Sequence, residues 1–122
     1  RLVAETLANL VQLGWGKDVP AFNQAFTNLL ISDGTAERHL WWQKLERDTA
    51  TPEVANRTLD VLLQIDVVSA AKILDLPTLI FHARNDARIP FDDGRKLAGI
   101  ISGAQFVPLD SANHILFHDE PT

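Results

Sequence analysis

The last part of the chain contains two short apolar runs, and each of them leads into a polar turn. The first run, Thr78–Phe81, leads to Asp86, and the second run, Phe106–Leu109, leads to His114. Between the two runs, Phe91–Ile101 carries apolar residues at helical spacing. The pattern therefore predicts a strand, a helix and a second strand.

A helix between two neighbouring strands makes the strands parallel and the crossover right-handed. Both strand ends then leave the sheet at the same edge, and we expect Asp86 and His114 to lie together there. Loops at the carboxyl ends of parallel strands are where α/β proteins place their chemistry. The unbroken apolar character of the first run also predicts a strand that is buried on both faces.

The first half of the chain shows helical periods only. Threonines suited to cap a helix, Thr35 and Thr51, precede two of the periodic segments, and glycines at 14 and 16 follow the first. We expect four helices and then one short helical turn. The first helix covers residues 2–13, the second runs from Pro20 until residues 32–34, the third follows Thr35 and fades at residues 48–50, the fourth covers residues 52–65, and the turn covers residues 67–74. The fold class is therefore α/β, with four helices in front of a β-α-β unit that has two parallel strands.

The segment from Pro77 to Glu120 closely resembles the carboxyl-terminal part of α/β-hydrolases. Their sequence of strand, Gly/Ala-x-x-Asp, proline, helix, strand and x-x-His is matched by Ala83-Arg-Asn-Asp86, by Pro90 and by Ser111-Ala-Asn-His114. The resemblance implies that Asp86 and His114 are the acid and the base of a Ser-Asp-His-type triad. It also implies that residues 1–65 are a helical lid and that residues 66–122 are the last part of the hydrolase core, so that the chain is a fragment.

The resemblance further implies hydrolysis of an ester, a lactone or a related acyl substrate, without a cofactor. The family nucleophile lies in a Gly-x-Ser-x-Gly turn, and the sequence contains no such pattern. The nucleophile is therefore expected outside this chain, and the chain alone is expected to be inactive. The alternative is a ligand-sensing module without catalysis, because the chain also resembles hydrolase-like regions attached to bacterial cyclases or helix-turn-helix regulators.

Five aromatic residues of the helical half are candidates for lining a substrate cavity. Helix packing is the competing interpretation, since aromatics at helical spacing first of all form cores. His82 at the end of the first strand is read as a packed, hydrogen-bonded residue, and His118 is not expected to bind a metal. The five aromatic candidates are Trp15, Phe22, Phe26, Trp41 and Trp42.

The expected partners of the chain are a small-molecule substrate or ligand and a second copy of the chain; nucleic acid and membrane are not expected. A net charge of −5, with 11 Lys and Arg in no cluster, argues against direct nucleic-acid binding. No apolar stretch is long enough for a membrane span, and the absence of cysteine fits a reducing cytoplasm. The Pro77–Ala83 strand would have an open edge, and such edges recruit further strands, so we expect a homodimer through it.

Overall fold

The structure, a computed structural model, describes residues 2–121, with side chains from residue 6 onward. The chain divides into two compact units. The helical unit contains residues 2–27 and 35–65, and the α/β unit contains residues 28–34 and 66–121. Arg1 and Thr122, the outer limits of the two predicted regions, lie outside the described residues.

The described residues form six helices and two strands, and the order of these elements agrees with the sequence pattern. The elements are α1 (Leu2–Gly14), α2 (Pro20–Leu30), α3 (Ala36–Thr49), α4 (Pro52–Leu62), α5 (Val68–Lys72), β1 (Leu79–Ala83), α6 (Phe91–Ile100) and β2 (Gln105–Leu109). Helix α4 ends three residues before the predicted Ile65, because Gln64 and Ile65 make i→i−3 turns instead of continuing the helix.

The helical unit has its core where α1 packs against α4. Leu7 and Val11 of α1 and Ala55 of α4 are buried. The threonine caps form as expected: the hydroxyl of Thr35 accepts the backbone N–H of Arg38, and Thr51 caps α4 in the same way. These caps satisfy helix amides that have no partner within the helix.

The α/β unit is built on the pairing of β1 with β2. The two strands are parallel, with Leu79 opposite Gln105 and Ala83 opposite Leu109, and α6 connects them and packs on both. This confirms the predicted β-α-β arrangement. The core of the unit contains Ile31, which comes from the segment after α2 and is fully buried.

The prediction that β1 is buried on both faces is wrong for this chain. Leu79 is 50% exposed and Phe81 is 48% exposed, whereas Ile80 and His82 on the opposite face are partly covered. Helix α6 packs against β1, and one ring that it covers is that of His82, which lies against Gly94. The apolar run in the sequence therefore predicted the strand correctly but not how much of it this chain covers.

Within residues 2–121, no helix has both the length and the apolar character needed to span a membrane.

Candidate functional site

The structure brings Asp86 and His114 together at the carboxyl ends of β1 and β2. Nδ1 of His114 lies 2.9 Å from Oδ2 of Asp86. The side chain of Asp86 is only 5% exposed, whereas that of His114 is 32% exposed. The acid is therefore shielded from water, and the imidazole that it contacts is open on one side.

The turn after β1 holds the Asp86 carboxylate in place. Its Oδ1 accepts the backbone N–H of Arg88 at 2.7 Å and that of Ile89 at 2.9 Å. An ionised carboxylate can only accept hydrogen bonds, so Nδ1 of His114 carries the hydrogen of that contact. Nε2 of His114 is then the nitrogen that can take a proton from a neighbouring hydroxyl.

His82 is a second imidazole beside the same carboxylate. Its Nε2 donates to the carbonyl of Ile89 at 3.1 Å and lies 3.6 Å from Oδ2 of Asp86. The ring packs edge to face on Phe91 and sits directly against Gly94, where an added methyl group would come within 2.5 Å of Nδ1. This is the packed, hydrogen-bonded role expected from the sequence, and Gly94 is the residue that makes room for it.

The loop that carries His114 is joined to the turn after α2. The backbone N–H groups of His114 and Ile115 both donate to the carbonyl of Leu30, each at 2.9 Å. Across the same junction the backbone N–H of Asp33 donates to the side chain of Asn113, and the backbone N–H of Ala112 donates to the side chain of Asp33. Sequence reasoning missed Asp33 and Asn113, because no local pattern relates Asp33 to a histidine so remote in the sequence.

A cavity of about 260 Å³ opens beside the Asp86–His114 pair within the α/β unit. Apolar side chains form part of its wall, as is usual for small-molecule pockets. Its lining includes Phe81, Ile89, Asn113 and Leu116 in addition to the pair itself. Residues 2–121 contain no grouping of three or more metal-ligating side chains placed to hold an ion.

Three of the five aromatic candidates form one packed cluster in the helical unit. Phe26, which is 7% exposed, stacks on Phe22 with ring centroids 5.6 Å apart and meets Trp15 edge to face at 5.4 Å. The indole N–H of Trp15 donates to the carbonyl of Ala50, and the Phe22 ring covers Gly14 so closely that no Cβ would fit there. These contacts belong to helix packing, and a role of the cluster in substrate binding stays a prediction.

The other two aromatic candidates lie on α3. Trp41 is 52% exposed, and its ring centroid is 6.1 Å from that of Trp42. The indole N–H of Trp42 donates to the carboxyl group of Glu46 at 2.6 Å. Burial raises the pKa of Glu46 to about 7, although the Trp42 hydrogen bond and the charge of Arg47 act in the opposite direction.

Neither a protein-family model nor, at a significant level, a curated protein sequence matches this chain. Solved structures do match. A hydrolase from Oleispira antarctica is 20% identical with a TM-score of 0.77, and 93% of this chain covers 40% of that one. An esterase from Exiguobacterium antarcticum is 18% identical with a TM-score of 0.76, and here 93% of this chain covers 42% of the other.

The chain thus spans about two fifths of the length of these solved structures. At such low identity the likeness concerns the fold and not the activity. It agrees with the mixture of helices and two parallel strands described above. The fold of the chain therefore matches part of the fold of this hydrolase and of this esterase.

Proposed function

We propose that this chain supplies the acid and the base of a hydrolase that acts on an ester, a lactone or a related acyl substrate. Asp86 orients the imidazole of His114 and stabilises its charged form, and His114 moves the proton. The attacking hydroxyl comes from a part of the hydrolase fold that lies outside this chain. The 2.9 Å contact between His114 and Asp86 at the ends of two parallel strands carries this proposal.

The reaction follows from the placement of the two nitrogens of His114. Because Asp86 holds the hydrogen on Nδ1, Nε2 is available as the general base that takes the proton from the nucleophile. The bond from the nucleophile oxygen to the acyl carbon then forms, the bond from that carbon to the alkoxide oxygen breaks, and the same proton passes from Nε2 to the leaving alkoxide. Water repeats the sequence and releases the acid, so that atoms and charges balance without a cofactor.

The experiment uses a polypeptide that contains this chain together with the missing part of the hydrolase fold. Hydrolysis of a panel of p-nitrophenyl esters and lactones is measured for the wild type and for Asp86→Ala and His114→Ala. We expect Asp86→Ala to lower kcat by about 10⁴-fold and His114→Ala by about 10⁶-fold, as in other triads. Asp110→Ala is the matched control, because Asp110 is an exposed carboxylate on the same loop as His114.

The 122-residue chain alone should release no more p-nitrophenol than its own His114→Ala variant, since the attacking group and the oxyanion donors supply much of the rate. Turnover by this chain that disappears in the variant would mean that a nucleophile is present in it, and the proposal would be wrong. Full activity of the larger polypeptide without Asp86 or His114 would also refute it. Tight binding of an acyl compound without turnover would favour the ligand-sensing alternative.

A further inference from the structure

The loop that carries His114 is held in place by the turn that follows α2. Ile31 of that turn forms an antiparallel bridge with Asn113. The carbonyl of Leu30, the last residue of α2, accepts the N–H groups of both His114 and Ile115 at 2.9 Å. The backbone of His114 is therefore fixed by a segment that is remote in the sequence.

Asp33 and Asn113 strengthen this junction by a reciprocal pair of hydrogen bonds. The backbone N–H of Asp33 donates to Oδ1 of Asn113 at 2.9 Å, and the backbone N–H of Ala112 donates to Oδ2 of Asp33 at 2.8 Å. Each side chain thus satisfies an amide of the opposite segment. Two such bonds across one junction resist both sliding and separation of the two segments.

The side chain of Asn113 is bound at both of its ends. Its Oδ1 accepts from Asp33, and its Nδ2 donates to Oε1 of Glu120 at 2.8 Å. Glu120 also accepts the backbone N–H of Phe117 at 3.3 Å, which draws the following turn against the loop. Asn113 is only 3% exposed, so an unpaired amide at this position would be costly.

We infer that Asp33, Asn113 and Glu120 are positioning residues that hold His114 at the distance from Asp86 which proton transfer needs. Their hydrogen bonds act on His114 through the backbone of residues 112–115. A loop without such bonds samples many conformations. Displacement of a catalytic group by about 1 Å can lower a rate about 100-fold. The inference rests on the proposed function for its biological meaning, but the positioning itself is measurable without a substrate.

The test compares Asp33→Ala with Asp33→Asn in the full, ¹⁵N-labelled chain. Alanine removes the acceptor for the N–H of Ala112, whereas asparagine keeps an oxygen there. The readout is the tautomer of His114 from its ring ¹⁵N shifts, assigned through their loss in His114→Gln. Asp66→Ala is the matched control, because the Asp66 carboxylate also accepts a backbone N–H, that of Val68 at 3.0 Å, elsewhere in the α/β unit.

In the wild type and in Asp33→Asn and Asp66→Ala, we expect the hydrogen of His114 on Nδ1. In Asp33→Ala the share of the Nε2–H form should rise at least about fourfold, because the imidazole leaves Asp86 part of the time. An unchanged tautomer in a folded Asp33→Ala chain would overturn the inference. So would an equal change in Asp66→Ala, because the effect would then be a general loosening of the unit.

If circular dichroism shows that Asp33→Ala is unfolded, Glu120→Ala and Glu120→Gln replace the first pair. Glutamine retains an oxygen for Asn113, and alanine does not. The alanine variant should shift the tautomer in the same direction and the glutamine variant should restore it; equal spectra for the two would overturn the inference. The tautomer measurement needs no turnover, so a failed hydrolysis test does not overturn it. An unchanged tautomer likewise does not overturn the proposed hydrolysis.

Discussion

A side chain at Gly94 of α6 should overpack the structure, although Gly94 lies in a helix where alanine is intrinsically favoured. A Cβ at this position would lie 2.5 Å from Nδ1 and 2.9 Å from Cγ of His82. The closer distance is about 1 Å short of ordinary van der Waals contact. The ring cannot simply swing away, because its Nε2 is bound to the carbonyl of Ile89 and the ring packs edge to face with Phe91.

The expected change in the free energy of unfolding follows from a comparison with Gly99 in the same helix, where an added Cβ would meet nothing within 4 Å. Replacing a helical glycine by alanine contributes up to about 1 kcal/mol of stability. Overpacking costs about 1–3 kcal/mol. We therefore expect Gly99→Ala to stabilise the chain and Gly94→Ala to destabilise it by about 0–2 kcal/mol. Helix propensity largely cancels in the difference between the two variants.

The assay is urea unfolding followed by circular dichroism, with each variant also made in a His82→Ala background. If the His82 ring is the obstacle, its removal should let Gly94→Ala recover most of the cost, with a coupling free energy of about 1 kcal/mol or more. Gly99→Ala should show no coupling with His82→Ala. The reasoning is refuted if Gly94→Ala is as stabilising as Gly99→Ala, or if its cost is the same with and without the imidazole.

Two further predictions concern the helical unit and the open edge of β1. Burial holds the pKa of Glu46 at about 7, above its ordinary 4.5, so the stability that this group contributes is complete below pH 4.5 and is lost as the pH rises through 7. After allowance for solvent screening, we expect urea titrations to show that the free energy of unfolding falls by about 1–2 kcal/mol between pH 4.5 and pH 7 and above. An equal fall in Glu46→Gln would show that Glu46 is not the group responsible. We also expect the chain to dimerise through the β1 edge, measured by light scattering over a concentration series. Along a strand in a parallel pair, the backbone N–H groups point alternately toward the partner strand and away from it. The N–H of Arg84 points to β2, so the N–H of Ile80, four residues earlier, also points to β2. The N–H of Phe81 therefore points to the open edge. Phe81→Pro should therefore abolish the dimer, and a wild-type chain that stays monomeric at its solubility limit would rule the dimer out.

Much of the fold could be predicted from the sequence because its signals are local. The periodic apolar positions predicted the helices, the threonines at 35 and 51 predicted two of their starts, and the apolar runs before Asp86 and His114 predicted the strands. Parallel pairing then followed from the crossover helix. The proximity of Asp86 and His114 could be foreseen for the same reason, since both come directly after strands whose relative direction was already known.

Tertiary structure alone decided what surrounds that pair. The hydrogen bond between Asp33 and Asn113 joins segments 80 residues apart, and no local period or turn signal encodes it. The need for glycine at position 94 depends on where the His82 ring lies after α6 has packed on β1. The exposure of Phe81 likewise depends on how many elements this chain provides to cover the sheet. Local patterns specify backbone conformation within a few residues, whereas these features depend on which surfaces meet after the chain has folded.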